Sequence, residues 1–96
     1  METLGQGRFL RLVRVDGWEW AERTNAKGVV CIAALTEDGG LLLIEQHRAP
    51  MGTTVVELPA GLVGDDGDPN EHHEIAAARE LEEETGYRAA SIRFVF

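Results

Sequence analysis

Apolar and polar positions change rhythm along this chain, and the rhythm marks out its elements. Residues 8–15 (RFLRLVRV) place Phe9, Val13 and Val15 on one parity and Arg8, Leu10, Leu12 and Arg14 on the other, which predicts a strand of imperfect alternation. Asp16-Gly17 follows, a favoured two-residue hairpin turn because both positions tolerate positive φ. Residues 18–23 (WEWAER) read as the returning strand, with Trp18 and Trp20 on one face and Trp20 the better core candidate. A loop at 24–28 leads into 29–36 (VVCIAALT), a continuous apolar run rich in β-branched residues and so expected to be a buried strand. Within that run Cys31 is expected as a small buried side chain. Residues 37–40 give a second hairpin signal, 41–46 return, 47–54 form a loop around Pro50 and Gly52, 55–58 form a short strand, and 61–68 read as a Gly/Asp-rich loop.

The helix is predicted over 69–85. Asp68-Pro69-Asn70-Glu71 offers a capping residue, a proline at the first helical position and a glutamate three residues after the cap, so Glu71 reads as a cap partner. Ile75, Ala78 and Leu81, with Ala77, form the apolar stripe, and Gly86 stands where a left-handed terminating residue belongs. Residues 91–96 alternate again and read as a final strand. The chain stops inside that apolar pattern, which calls for a neighbouring element, so a further C-terminal part or a partner chain is expected to cover it. The pattern as a whole predicts an α/β (α+β) protein with a mixed sheet, in one domain over 1–96: an N-terminal hairpin at 8–23, then a core sheet and helix at 29–96.

Charge narrows the partners. The formal net charge of −8 argues against a nucleic-acid backbone as ligand, though cations can bridge an acidic chain to phosphate. With no signal peptide and no apolar run of membrane-spanning length, a cytoplasmic protein that does not engage a membrane is expected. His47, His72 and His73 do not make a zinc set, since adjacent helical histidines point in different directions.

The last two turns of the helix carry Glu80, Glu82, Glu83 and Glu84. Glu80, Glu83 and Glu84 share a face, and the C-terminal end of a helix is the wrong pole for negative charge. A solvated acidic face is the ordinary explanation of such a run; a divalent cation is the compensation that would make it functional. Arg79 can pair with Glu83 at i,i+4.

The stretch Arg79-Glu80-Leu81-Glu82-Glu83-Glu84-Thr85-Gly86-Tyr87 resembles the second half of the Nudix box, R-E-U-x-E-E-x-G-U, and Glu71 matches the box's earlier glutamate. Position 65 is Asp where the box has its first glycine; Gly61 in Glu57-Leu58-Pro59-Ala60-Gly61 is the better equivalent, which makes the intervening loop four residues longer. The resemblance implies a Nudix-like fold that runs on past the helix and one following strand, with the C-terminal part not present here. It also implies Glu80, Glu84 and the carbonyl of Ala60 as ligands of Mg2+, or of Mn2+, with Glu83 assisting and Arg79 orienting the glutamates. Glu82 falls at a variable position.

Beyond the box, WEWAER, IEQHR and ELPAGL resemble the ADP-ribose pyrophosphatase branch. That implies hydrolysis of a nucleoside diphosphate sugar such as ADP-ribose, with Trp18 and Glu19 on adenine and Arg23 on phosphate, in a homodimer that exchanges N-terminal strands. Arg48 could grip a diphosphate with its planar fork or be a surface loop charge; Glu57 is a polar site residue or a strand-end charge. A binding module that keeps the metal helix without turnover is the alternative, and a calcium-binding domain built on the acidic loop at 65–68 is a weaker third.

Overall fold

Seven strands and one helix follow one another in the computed structural model, which describes residues 1–25, 28–64, 67–68 and 70–96. Strands β1 (Glu2–Gln6), β2 (Leu10–Val15) and β3 (Trp18–Arg23) form an antiparallel sheet in the order β1-β2-β3. The predicted hairpin is there: Val15 faces Trp18 across the turn, and Asp16 and Gly17 both take positive φ, at 49° and 85°. β1 was not apparent in the sequence, because it has a single large apolar residue, Leu4, and so shows no alternation; pairing with β2 makes the strand, with a register shift between Thr3 and Gly5. Val13 is the fully buried residue of this sheet. Trp20, expected in the core, is 41% exposed, and Trp18 opposite Val15 is 76% exposed.

The predicted buried strand at 29–36 is shorter and less buried than its composition implies. Only β4 (Val29–Cys31) is laddered, and its burial alternates, leaving Val29, Cys31 and Leu35 exposed. Further on, the chain keeps single antiparallel links, from Leu42 N–H to the Ala34 carbonyl and between Leu35 and Leu41, around the expected turn at 37–40. β5 (Ile44–Arg48) and β6 (Thr53–Glu57) form a hairpin closed by a 3-10 turn at Ala49–Met51, with Gly52 left-handed at φ 68°. Half of the loop expected at 47–54 is therefore strand, and the turn is confined to 49–52, around the proline and glycine that signalled it.

β7 (Ala60–Leu62) pairs antiparallel with β4, where a loop was expected from 61 onward. Gly61 misled the pattern: it is there for close approach and does not break the strand. The helix α1 spans His73–Thr85 and packs on β7 and β4. Its start lies four residues later than predicted, because His72 is extended and Glu71 is engaged elsewhere; Pro69 lies outside the described residues. The buried helix positions are Ala76, Glu80 and Leu81, while Ile75, expected in the stripe, is 58% exposed. Gly86 ends the helix at φ 78°, its N–H donating to the Glu82 carbonyl at 2.8 Å. Residues 91–96 have no strand ladder, since an apolar alternating segment becomes a strand only beside a partner whose backbone groups it can bond.

Among the described residues the architecture is thus α+β, with antiparallel pairings in three small sheets and a helix on one of them. The Cα radius of gyration is 16.0 Å, where a compact domain of this length would have about 12.5 Å, and the N-terminal sheet makes few contacts with the rest. Among the described residues no helix is long and apolar enough to cross a membrane.

Gly86→Ala places a Cβ in the left-handed region and is expected to cost about 1 kcal/mol, a fall in Tm of roughly 4–8 °C. Thermal melting followed by circular dichroism checks this; an unchanged Tm would reject the left-handed cap.

Candidate functional site

The site is built where α1 lies against β7. Glu80 points inward at the middle of the helix, and its carboxyl group lies directly over the backbone of Gly61. A Cβ at position 61 would fall on that carboxyl group, so only glycine permits the contact. Burial pushes the Glu80 carboxyl up from its ordinary range; Arg79 pulls it back down, and Glu83 and Glu84 add repulsion.

Arg79 holds the surroundings together. Its Nε donates to Glu71 Oε2 at 2.9 Å and its Nη2 to Glu71 Oε1 at 2.9 Å and to the Leu62 carbonyl at 3.2 Å. The third nitrogen, Nη1, reaches Glu80 Oε1 at 2.9 Å and Glu83 Oε2 at 3.4 Å, the last being the i,i+4 pair expected from the sequence. Glu71 Oε1 also accepts the N–H of Gly64 at 2.9 Å. Glu71 is therefore the buried partner of Arg79 and not the helix cap partner that its spacing implied. Two hydrogen bonds from Arg79 and one from Gly64 hold its carboxyl down at about 2.

One turn beyond Glu80, Glu84 Oε2 accepts the N–H of Ala60 at 3.3 Å. Glu80, Glu84, Ala60 and Gly61 make one wall of a cleft of about 340 Å³, and Arg23, Gln46 and Arg48 stand around the rest of it. Arg48 is paired with Glu57: Nε donates to both carboxylate oxygens at 3.1 Å, and Nη2 is in contact with Oε1.

Of the residues singled out in the sequence, the cleft gathers Arg23, Arg48, Ala60, Glu80 and Glu84. Glu57, Arg79 and Glu83 sit behind or beside this lining. Trp18 and Glu19 lie on the N-terminal sheet, where Glu19 Oε1 accepts from Arg14 Nη2 at 2.7 Å. Sequence reasoning missed Gln46, whose amide donates to Glu57 Oε1 at 3.4 Å; its signal was parity, two residues before Arg48 on one strand. The acidic loop of the calcium reading falls partly on Asp65 and Asp66, outside the described residues.

Among the described residues no three His, Cys, Asp or Glu side chains are already drawn together as a metal cage. The donors suit a hard cation even so. Glu80 and Glu84 offer carboxylate oxygens to one cleft, and Glu80, though Arg79 engages its Oε1, is pushed up by burial and by repulsion from Glu83 and Glu84, which a bound cation would relieve.

The family described as NUDIX domain matches residues 24–96. An ADP-ribose pyrophosphatase of Bacillus subtilis is 42% identical over 65 residues, covering 68% of this chain and 33% of that protein. A methanol dehydrogenase activator of Bacillus methanolicus is 33% identical over 101 residues, covering 98% of this chain and 52% of the relative. An ADP-ribose pyrophosphatase of Mycobacterium tuberculosis is 39% identical over 96 residues, covering 94% and 45%. The chain spans about a third to a half of the length of these curated relatives. It belongs to the Nudix family.

Two outcomes test the geometry. Gly61→Ala is expected to displace the Glu80 carboxyl group and to destabilise the fold by about 1–3 kcal/mol; a urea midpoint equal to that of the unsubstituted protein would reject the close approach. Glu71 is held near 2 in the folded chain against an ordinary 4.5, so its contribution is full above about pH 4.5 and is lost as pH falls towards 2. The stability gap between the protein and Glu71→Gln should narrow through that window, read from urea midpoints; a gap that stays constant would reject the buried pair.

Proposed function

We propose that this chain is the catalytic Nudix region of a metal-dependent hydrolase that cleaves the diphosphate bond of a nucleoside diphosphate sugar, ADP-ribose above others, to AMP and ribose 5-phosphate. One observation carries the reading: a single cleft sets Glu80 and Glu84 on one wall against Arg23 and Arg48 around the rest. A diphosphate needs cationic grip along its length and, at the reacting phosphorus, negative charge neutralised and a water made nucleophilic. The resemblance to two ADP-ribose pyrophosphatases supports the choice of substrate.

Glu80, Glu84 and the carbonyl of Ala60, assisted by Glu83, would hold Mg2+ or Mn2+. When bound, the cation supplies charge neutralisation at the phosphoryl oxygens and lowers the pKa of water. Arg79 keeps Glu80 and Glu83 in position and does not touch substrate. Arg48 and Arg23 bind phosphate oxygens through their N–H groups. Trp18 offers an exposed ring for stacking on adenine and Glu19 an acceptor for its edge. Those two are not among the residues lining the cleft, while Arg23 at the end of the same strand is; in the homodimer we propose, one subunit's Trp18 and Glu19 reach the other's cleft.

Incubation of the 96-residue protein with Mg2+ and ADP-ribose is expected to release AMP, and Glu84→Gln should lower kcat by on the order of 100-fold or more. Unchanged turnover in the variant would remove Glu84 from the site. Uptake of Mg2+ with no AMP release would favour a binding module over an enzyme.

A further inference from the structure

The Arg48–Glu57 pair has an unusual placement. Both residues lie on one face of the β5–β6 hairpin, but they do not face each other: Arg48 is opposite Thr53, and Glu57 is opposite Ile44. The Gln46–Val55 row lies between them, so the two backbones are separated by roughly 13 Å along the strands. Arg48 sits at the strand end, next to the 3-10 turn, where a long side chain left to itself would splay into solvent. Instead it lies back along the hairpin, over the intervening row, and ends at the Glu57 carboxylate beside the cleft. Both side chains are part-exposed, at 44% and 27%, and such pairs add little to stability. Holding the fold together does not account for the arrangement.

Donor arithmetic shows what it does achieve. A guanidinium has five N–H donors in a fixed plane. Glu57 engages Nε and Nη2, which fixes the plane of the fork, and Gln46 steadies the Glu57 carboxylate from the side. The Nη1 edge remains for a ligand, and Arg48 lines the same cleft as Glu84, whose charge acts on it.

We propose that Glu57 is a positioning residue that lays Arg48 along the β5–β6 hairpin and aims its free guanidinium edge into the cleft, so that Arg48 meets a diphosphate group already oriented. The assignment rests on the proposed reading of the cleft as a diphosphate site. It gives Glu57 no contact with the ligand. Glu57 acts only through Arg48, and removing it costs affinity by letting the guanidinium swing away.

The test is a double-mutant cycle on Glu57→Gln and Arg48→Ala in the full 96-residue chain. Affinity for the non-hydrolysable methylenediphosphonate in Mg2+ is measured by calorimetry, and the Arg48 Nε–H resonance by 15N NMR. Arg48→Ala should weaken binding roughly tenfold, Glu57→Gln by roughly three- to tenfold, and the double variant no more than Arg48→Ala within about twofold. The Arg48 Nε–H signal should move upfield and exchange faster with solvent in Glu57→Gln. Arg48→Lys, which lacks the fork, should likewise be indifferent to Glu57→Gln, and this second background serves if Arg48→Ala does not fold. Losses that multiply in the double variant, an unmoved resonance, unchanged affinity in Glu57→Gln, or no binding by the unsubstituted protein would each overturn the proposal. If methylenediphosphonate binds with the expected coupling and ADP-ribose is neither bound nor hydrolysed, the substrate reading fails and the positioning role stands.

Discussion

The guanidinium of Arg79 is the constraint on which the rest of the site depends. It touches three carboxylates, Glu71, Glu80 and Glu83, and the carbonyl of Leu62, and so joins the helix, the strand β7 and the segment that leads into the helix. A buried carboxylate is costly unless paired and hydrogen-bonded. Glu71 meets that condition completely, with Arg79 and the Gly64 N–H both directed at it. Glu80 meets it on one oxygen, and its second partner, the bare backbone of Gly61, makes room without donating a bond. The same cation thus grips both oxygens of Glu71 and only one of Glu80, nine residues further along the chain at the edge of the cleft.

Much of this was legible in the chain. Alternation and Asp16-Gly17 specified the turn and the returning strand to the residue and began the first strand two residues early, Gly86 specified the end of the helix, and acidic residues at the wrong helix pole pointed to the cleft. The helix start was not legible, because Asp68 to Glu71 has the spacing of a capping box. Spacing cannot say that the Glu71 carboxylate has a stronger partner eight residues later in Arg79. β7 was hidden for a related reason: glycine in a short apolar segment reads as a breaker unless one knows what approaches it. Apolar composition at 29–36 overstated burial, since it records what a strand can cover and is silent on what covers it. The posture of Arg48 is a matter of side-chain torsion, which no hydrophobic period encodes.

Family membership and geometry constrain different things. The match over 24–96 establishes the Nudix assignment, and relatives whose names describe both ADP-ribose hydrolysis and activation of a dehydrogenase show how far the activities of similar chains diverge. The side of the cleft bearing Arg23, Gln46 and Arg48 presents polar side chains that differ in the number and direction of their donors.

The hydrogen bond from the Gly64 N–H to Glu71 has a consequence for how such a chain can vary. It pins the two ends of the intervening segment to the same carboxylate that anchors Arg79. Whatever length lies between them is spliced out of the mechanical path from strand to helix. Lengthening a closed loop costs only a slowly growing logarithmic entropy, so this ring can absorb added residues while the wall that bears Glu80 and Glu84 keeps its alignment.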